Sequence, residues 1–182
     1  ISDTANLNLL NLSGNQTINL DAAVTLGTLN IGDISGQQSY VLAAGTGGSL
    51  TLSNGGTAVI NKSGIGTDVI TSAITLTDPV TVDVQDGRLI LSGVLSGAGG
   101  ITKNGAGTLI LTATNTFTGV NTLNDGITLI QQALNDNAVL GATGGAQGTI
   151  VNAGATLAIN NDRADAGTGS VAGNGSGFAS LN

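Results

Sequence analysis

The residues of this sequence best suited to chemistry are a few aspartates and one arginine near its middle. Asp83, Asp86 and Arg88 lie within one short segment, and Asp78 and Asp68 precede it. Carboxylates beside a guanidinium could bind calcium and a sugar acid, or share acid–base work on an acidic polysaccharide. The alternative is that Asp86 belongs to a Gln-Asp-Gly turn and Asp83 is a solvated outward residue. We favour this alternative and predict no catalytic, cofactor-binding or metal-binding residue.

Other reactive constellations are weaker still. The polar segment NNDRAD at 160–165 lacks the glycine spacing of calcium-binding β-rolls and predicts a surface loop. The chain has no histidine and no cysteine, which excludes a Ser-His-Asp or Cys-His arrangement and a thiolate metal site. The glycine-rich stretches carry no Gly-Lys-Ser/Thr phosphate loop. Thr-x-Thr pairs do not recur regularly enough to predict an ice-binding face.

Charge limits the partners that this chain can have. The 182 residues include four basic and eleven acidic side chains, giving a formal net charge of −7. So few cations cannot neutralise a run of phosphates, and we therefore predict no nucleic-acid partner and no anionic membrane surface. No apolar run approaches the roughly 20 residues of a membrane helix, so this segment is not expected to insert. The absence of cysteine suits an extracellular bacterial protein.

The elements that must position these residues are predicted to be strands. Thirty glycines, two per cent aromatic residues and no glutamate are unfavourable for a helical bundle. Abundant Thr, Val and Ile favour pleated surfaces. The sequence therefore predicts an all-β fold with a core of Leu, Ile, Val and Ala.

Short aliphatic runs recur along the chain with an almost constant spacing of roughly 20 residues. They begin at Leu10, Leu29, Leu50, Ile70, Leu89, Leu109, Leu129 and Ile150, with a weaker ninth run at Val171. Two further short segments bounded by Gly, Ser or Asn usually lie within each period. Three short strands per period fit one turn of a parallel β-helix, so we predict eight to nine coils of about 20 residues.

In such a solenoid each strand pairs with its equivalents about 4.8 Å above and below. The Leu-x-Leu positions then point inward, and asparagines at equivalent outward positions can stack into hydrogen-bonded ladders. We predict β-helix repeats over residues 1–160, with a loop-like interruption near 131–147. We also predict that residues 161–182 are a Gly/Ser-rich terminal segment that contains a last coil at Val171. An up-and-down barrel or sandwich is the rival fold, which predicts hairpins and irregular spacing.

One stretch, at about 97–130, resembles a known repeat. It contains GGITKNGAGTLIL at 99–111, NTFTG at 115–119 and NDGITL at 124–129. These are similar to the three signatures of the autotransporter-associated β-strand repeat, also called the passenger-associated transport repeat. A partial echo follows at 152–157. Val120 and Asp125 depart from the residues that the family often carries.

The resemblance implies a secreted or surface-displayed passenger of a type V secretion system, folded as a right-handed β-helix. It also implies that the repeat assists folding as the passenger emerges from the outer membrane. We accordingly predict a non-enzymatic extracellular stalk, structural or adhesive, on the bacterial outer surface. Its expected partners are further turns or copies of itself and a host or neighbouring cell surface.

Two alternatives stay open. Uncapped β-helix ends could stack head to tail, making the chain a subunit of an extracellular filament or matrix fibre. A polysaccharide-degrading β-helix enzyme is the other alternative, and it predicts activity that is lost on Asp83→Ala or Asp86→Ala.

Overall fold

The chain winds as a parallel β-solenoid with two long sheets and one short sheet. The computed structural model describes residues 3–132, 139–142 and 148–161. The first sheet stacks β1 Thr4–Leu7, β4 Thr28–Ile31, β7 Ala58–Lys62, β10 Val80–Val84, β13 Ile101–Asn104, β15 Asn121–Leu123 and β17 Thr149–Val151. The second stacks β2 Gln16–Leu20, β5 Tyr40–Ala44, β8 Thr67–Ile70, β11 Arg88–Leu91, β14 Thr108–Leu111, β16 Gly126–Gln132 and β18 Ala155–Asn161. The third holds β3 Ala23–Leu26, β6 Ser49–Leu52, β9 Ile74–Leu76 and β12 Leu95–Gly97.

Every strand pairing is parallel, and no helix occurs in the described ranges, so the predicted all-β parallel solenoid is confirmed. The barrel or sandwich alternative, which needs hairpins, is wrong. The right-handed winding implied by the family resemblance stays a prediction.

The core is built by the alternation of inward and outward residues along most strands. In β10, Val80, Val82 and Val84 are buried, whereas Thr81 and Asp83 between them are only half-buried on the outer face. Strand pairing then stacks inward residues into columns that run along the solenoid axis. Fully burying each aliphatic side chain stabilises the fold by roughly 1.5–3 kcal/mol before ordering entropy is subtracted, so stability comes from stacking rather than from any single turn.

The predicted number of coils is not matched by the residues that the structure describes. Over these residues, seven stacked strands in each long sheet make about six turns rather than eight to nine, spanning about 29 Å at the usual strand spacing. In the first half of the chain, the aliphatic runs identified in the sequence do not all lie in the same sheet. Leu29 lies in the first sheet, Leu50 in the third and Ile70 in the second, while Leu10 lies between strands.

Successive aliphatic runs lie in different sheets because the first turns contain more residues than the spacing between the runs. Asn30 stacks on Asn6 at a separation of 24 positions, and Asn61 stacks on Asn30 at a separation of 31. Further along, Leu89 pairs directly with Leu109, which begins the next aliphatic run in the sequence. A constant spacing in sequence therefore marks equivalent positions only in the middle of the chain, where one turn has the same length as that spacing.

The third side of the solenoid changes character after β12. The next turn has no strand there, yet the Thr116 amide donates to the Leu95 carbonyl at 2.8 Å. The Thr118 amide donates likewise to the Gly97 carbonyl at 2.9 Å. The third side thus continues for one more turn through isolated backbone bonds, and side chains of the 115–119 segment complete the contact.

The predicted interruption lies in a turn that contains more residues than the turn before it. Asn121 and Thr149, which pair between β15 and β17, are separated by 28 positions. Asn104 and Asn124, which stack in the turn before, are separated by 20. Most residues of the 131–147 segment lie outside the described ranges, so its loop-like character and the domain bounds stay predictions.

The end of the chain was predicted partly incorrectly. The sequence predicts Asn160 and Asn161 in a surface loop, but they complete β18 because they pair with Gln131 and Gln132. The rest of the 161–182 segment, including the coil predicted at Val171, lies outside the described residues. Within the described ranges there is no helix of a length and apolarity that would cross a membrane.

Candidate functional site

The aspartates considered for chemistry do not share one face. Asp68 points into the core from β8 and is 0% exposed, whereas Asp83 lies half-buried on the outer face of β10. Asp86 is exposed at the corner between β10 and β11, and Asp78 lies at the corner before β10. Arg88 is exposed at the start of β11. These positions favour the structural interpretation of the segment.

Asp78 caps a turn of the preceding coil. One oxygen, Oδ2, accepts hydrogen bonds from the amides of Asn54 at 2.6 Å and Gly55 at 2.9 Å, and from Ser53 Oγ at 3.2 Å. These donors, the Asn54 amide above all, lower the pKa of Asp78 below its ordinary value. Its carboxylate therefore holds two successive turns together.

Asp33 does the same at another corner, where its side chain is buried. Its oxygens accept from Ser35 Oγ, from the Leu12 amide at 2.8 Å, and from the amides of Gln37 and Gln38 at 3.2 Å each. The Ser35 hydroxyl, followed by these amides, holds the pKa of Asp33 far below its usual range. The Asp33 carboxylate is therefore engaged by groups of its own chain.

Within the repeat-like stretch, Lys103 lies inside the solenoid. Its side chain is 0% exposed and occupies an inward column between Val82 and Leu123. Its Nζ donates to the carbonyls of Asn104 at 2.8 Å, Gly105 at 2.6 Å and Asp125 at 3.3 Å. Burial lowers the pKa of Lys103, and the charges of Asp125 and Asp83 oppose that shift in part. Lys103 binds its own turn to the one that follows.

Two buried asparagines of the same stretch bridge three successive turns. Asn115 accepts from the Leu95 amide through Oδ1 at 2.8 Å and donates through Nδ2 to the Val139 carbonyl at 2.6 Å. Asn115 therefore replaces a strand at the point where the third sheet ends.

Asn121 repeats this arrangement one corner later. Its Oδ1 accepts from the Ile101 amide at 3.3 Å, and its Nδ2 donates to the Leu140 carbonyl at 2.9 Å. Both asparagines satisfy backbone groups that would otherwise be buried without partners.

The aromatic and glycine residues of the NTFTG signature are required by packing. Phe117 is 0% exposed and fills the core on the third side, where the sheet is absent. Gly119 and Gly100 lie backbone to backbone: a Cβ on Gly119 would be 2.1 Å from the Gly100 nitrogen. Only glycine permits this approach, which explains both glycines without any ligand.

An asparagine column runs along the outer face of the first sheet, as predicted. Its members, from the first turn to the last, are Asn6, Asn30, Asn61, Asp83, Asn104, Asn124 and Asn152. The amides donate toward the preceding turn in the pairs Asn30–Asn6, Asn61–Asn30, Asn124–Asn104 and Asn152–Asn124, at 2.7–2.8 Å. Asp83 is thus a member of a structural ladder.

A second lysine corner was missed at the sequence level. Lys62 is 1% exposed, and its Nζ donates to the carbonyls of Ser63 at 2.7 Å and Gly64 at 2.6 Å. The signal was present, because KSGIGT at 62–67 has the same Lys-x-Gly-x-Gly-Thr spacing as KNGAGT at 103–108. Lys62 also contacts Asp68, Nζ to Oδ2, at 3.3 Å.

The buried polar side chains described above bind main-chain groups of their own and neighbouring turns. The buried polar side chains of the repeat hold successive turns together. Asp33 and Asp78 cap turns, Asp83 belongs to the ladder and Asp68 pairs with Lys62. Among the described residues no group of three metal-ligating side chains converges. The geometry therefore supports an architectural role.

Comparison with known proteins agrees with this geometry. The passenger-associated-transport-repeat family matches residues 101–130. A stretch of 127 residues, 68% of this chain, is 34% identical to the "Adhesin BmaC autotransporter" of Brucella suis biovar 1 (strain 1330) and spans 3% of that adhesin. No solved structure matches the chain.

The matched residues include Lys103, Asn115, Phe117, Gly119 and Asn121, whose side chains or close backbone contacts join neighbouring turns. Passengers of autotransporters are exported, so the chain is extracellular or displayed on the outer cell surface. With its parallel solenoid fold and a copy of this repeat at residues 101–130, the chain belongs to the autotransporter passengers that carry the passenger-associated transport repeat.

Proposed function

We propose that this chain is a non-enzymatic stalk segment of a surface adhesin, a rod that holds other parts of the protein away from the cell. The observation that carries the proposal is the internal use of the polar groups of the repeat. Lys103, Asn115 and Asn121 all bind main-chain atoms of neighbouring turns. A segment whose polar side chains connect its own turns is suited to mechanical continuity.

The similarity to an adhesin supports the surface role. Because the chain spans only 3% of that protein, the binding activity of a whole adhesin comes to this segment only as part of the proposal. We assign the segment the spacer part of such a protein, and we assign contact with a host or neighbouring cell to other parts.

Apolar side chains are exposed in the first and the last turn of the described solenoid. In the first turn Leu9 and Leu10 are 66% and 64% exposed, beside a recess of about 330 Å³ lined by Leu7, Leu12 and Ile18 among others. In the last described turn Ile159, which pairs with the core-packed Ile130, is 51% exposed. Apolar surface and open strand edges of this kind are normally covered by another turn.

Electron microscopy and analytical ultracentrifugation of the purified chain over a hundredfold concentration range test the rod. We expect monomeric rods at low concentration and no regular fibre at high concentration. Fibres of solenoid width that lengthen with concentration would instead favour the subunit of a filament and overturn the stalk.

Two further assays separate the stalk from an adhesive or enzymatic segment. Beads coated with the chain should adhere to cells no better than beads coated with an inert protein. Incubation with an acidic polysaccharide and calcium should release no shortened products. Specific adhesion, or cleavage that Asp83→Ala abolishes, would each contradict the proposal.

A further inference from the structure

Lys103 occupies a site made of carbonyl oxygens. Its three N–H groups meet three acceptors, the carbonyls of Asn104, Gly105 and Asp125, at 2.8, 2.6 and 3.3 Å. No carboxylate of the described residues is hydrogen-bonded to it. A buried ammonium held by main-chain oxygens is unusual, because a charge in the interior is normally paired.

The second corner shows that this arrangement is made locally. Lys62 uses the same two carbonyls, those one and two residues after it, at 2.7 and 2.6 Å. Its place in the stack is nevertheless different, because it pairs with Val84, whereas Lys103 lies in the column of Val82. The Lys-x-Gly-x-Gly-Thr sequence therefore determines the contact, independently of strand register.

A cluster of carbonyl oxygens around one point is also how proteins coordinate hard metal ions. We propose that each Lys-x-Gly-x-Gly-Thr corner is a cation site whose cation is the lysine ammonium, carried by the chain itself. The corner closes without taking an ion from the surroundings. Removal of the Lys103 side chain leaves an oxygen-lined site that accepts a small monovalent cation, with ammonium or methylammonium as the nearest chemical substitutes.

The site also links turns. Two of the Lys103 acceptors belong to its own corner, and the third, the Asp125 carbonyl, belongs to the next turn. The cation therefore completes its set of acceptors only when the following turn has stacked. At the earlier corner Asp68 supplies the third contact from the adjoining strand, at 3.3 Å.

Chemical rescue tests the proposal. Lys103→Ala and Lys62→Ala are compared with Ile60→Ala, which removes an aliphatic side chain from the Lys103 column. Thermal unfolding is measured in choline chloride and then in ammonium or methylammonium chloride of the same ionic strength. We expect all three variants to be destabilised in choline. Ammonium should raise the Tm of Lys103→Ala by at least about 3 °C relative to its effect on wild type and on Ile60→Ala.

Other outcomes overturn it. Equal responses of Lys103→Ala and Ile60→Ala to ammonium would mean that no cation site is left behind. A Tm of Lys103→Ala equal to that of wild type would mean that the ammonium contributes nothing to the corner. If Lys103→Ala does not fold in choline, the same comparison is made as refolding yield from urea with and without methylammonium, and failure of rescue there counts against the proposal. Wild type should unfold at the same temperature in EDTA and in calcium chloride, and a rise with calcium would contradict the self-supplied cation.

Discussion

Lys62 and Asp68 form a buried ion pair, with Nζ 3.3 Å from Oδ2 and side chains 1% and 0% exposed. The other carboxylate oxygen, Oδ1, accepts the Tyr40 amide at 2.6 Å, so Asp68 also joins its strand to the preceding turn. In the next two turns the equivalent of Asp68 is Leu89 and then Leu109. The corner at Lys103 thus has the same carbonyl contacts without the carboxylate.

Loss of the Asp68 charge should destabilise the fold. Asp68→Asn keeps an oxygen for the Tyr40 amide but leaves the buried Lys62 without its counter-ion. Because burial raises the pKa of Asp68, neutralisation also relieves a desolvation cost, and we expect a net loss of only about 1 kcal/mol in the free energy of unfolding. Urea denaturation of the variant measures it. Asp86→Asn, an exposed corner substitution one turn later, is the matched control and should change little. Equal stability of the two variants would show that the pair adds nothing to the carbonyl contacts.

Asn115 should be essential to the third side. Asn115→Ala leaves the Leu95 amide and the Val139 carbonyl buried without this partner, so we expect a loss of about 2–4 kcal/mol. Asn19→Ala, at an exposed position of β2, is the control. Hydrogen exchange should show increased exchange first at the amides of Leu95 and Thr116. A uniform increase along the whole rod would contradict the local bridging role.

Gly119 should tolerate no side chain. Gly119→Ala places a Cβ 2.1 Å from the Gly100 nitrogen, so the two backbones must separate and the contact between turns is lost. We expect the free energy of unfolding to fall by at least about 2 kcal/mol, which corresponds to a decrease in Tm of more than about 6 °C. Gly14→Ala, where an added Cβ meets nothing within 4 Å, is the matched control. Similar Tm values for the two variants would exclude the steric explanation.

Much of this architecture was predictable because it follows from local pattern. Alternating Leu-x-Leu runs, glycine at tight turns and repeated asparagines each have a direct structural meaning, and the parallel solenoid and its ladder followed from them. The number of turns did not follow, because Leu29, Leu50 and Ile70 look alike in sequence yet lie in three different sheets. Only strand pairing shows that the early turns contain extra residues.

Asp83 interrupts the ladder, and its replacement should improve it. The ladder amides donate toward the preceding turn, and a carboxylate at position 83 has no N–H to offer the Asn61 oxygen. We expect Asp83→Asn to stabilise the rod by about 0.5–1.5 kcal/mol through continuous hydrogen bonding. Thermal unfolding at low salt measures this effect. A lower Tm would indicate that the attraction between Asp83 and the buried Lys103 outweighs the missing hydrogen bond.

Acid should weaken the rod through its capping aspartates. The folded-state pKa values of Asp33 and Asp78 lie below the ordinary 3.8, so the stability that they contribute is complete above about pH 4. It is lost as pH falls through the folded-state values. Asp68 opposes this trend in part, since burial raises its pKa.

The urea midpoint should therefore fall between pH 5 and pH 2, to an extent that depends on Asp78. Asp78→Asn removes one of the two groups, and we expect its midpoint to vary less with pH than that of wild type. Asp86→Asn again serves as control. An unchanged pH dependence in Asp78→Asn would show that its hydrogen bonds to Asn54 and Gly55 do not depend on ionisation.

The candidate site was harder to predict than the fold. From the sequence, Lys103 and Asn115 could be recognised only as positions of the repeat motif. The sequence does not show that their side chains point into the solenoid. Lys62 was overlooked since its motif lacks the second signature around Phe117. The sequence suggested the aspartates as candidate reactive groups. In the structure some of them accept hydrogen bonds from main-chain amides of the preceding turn, as Asp78 does from Asn54.

Because successive turns contain different numbers of residues, the solenoid can accommodate insertions. The turn that begins at Asn30 closes at Asn61 after 31 positions, and the next turn, from Asn61 to Asp83, is shorter. The strand pairing on both sides nevertheless stays in register. The additional residues lie at the corners, outside the stacked strands. A peptide inserted at such a corner would be displayed laterally while the strands around it remain paired, so the corner sequence can vary independently of the interior.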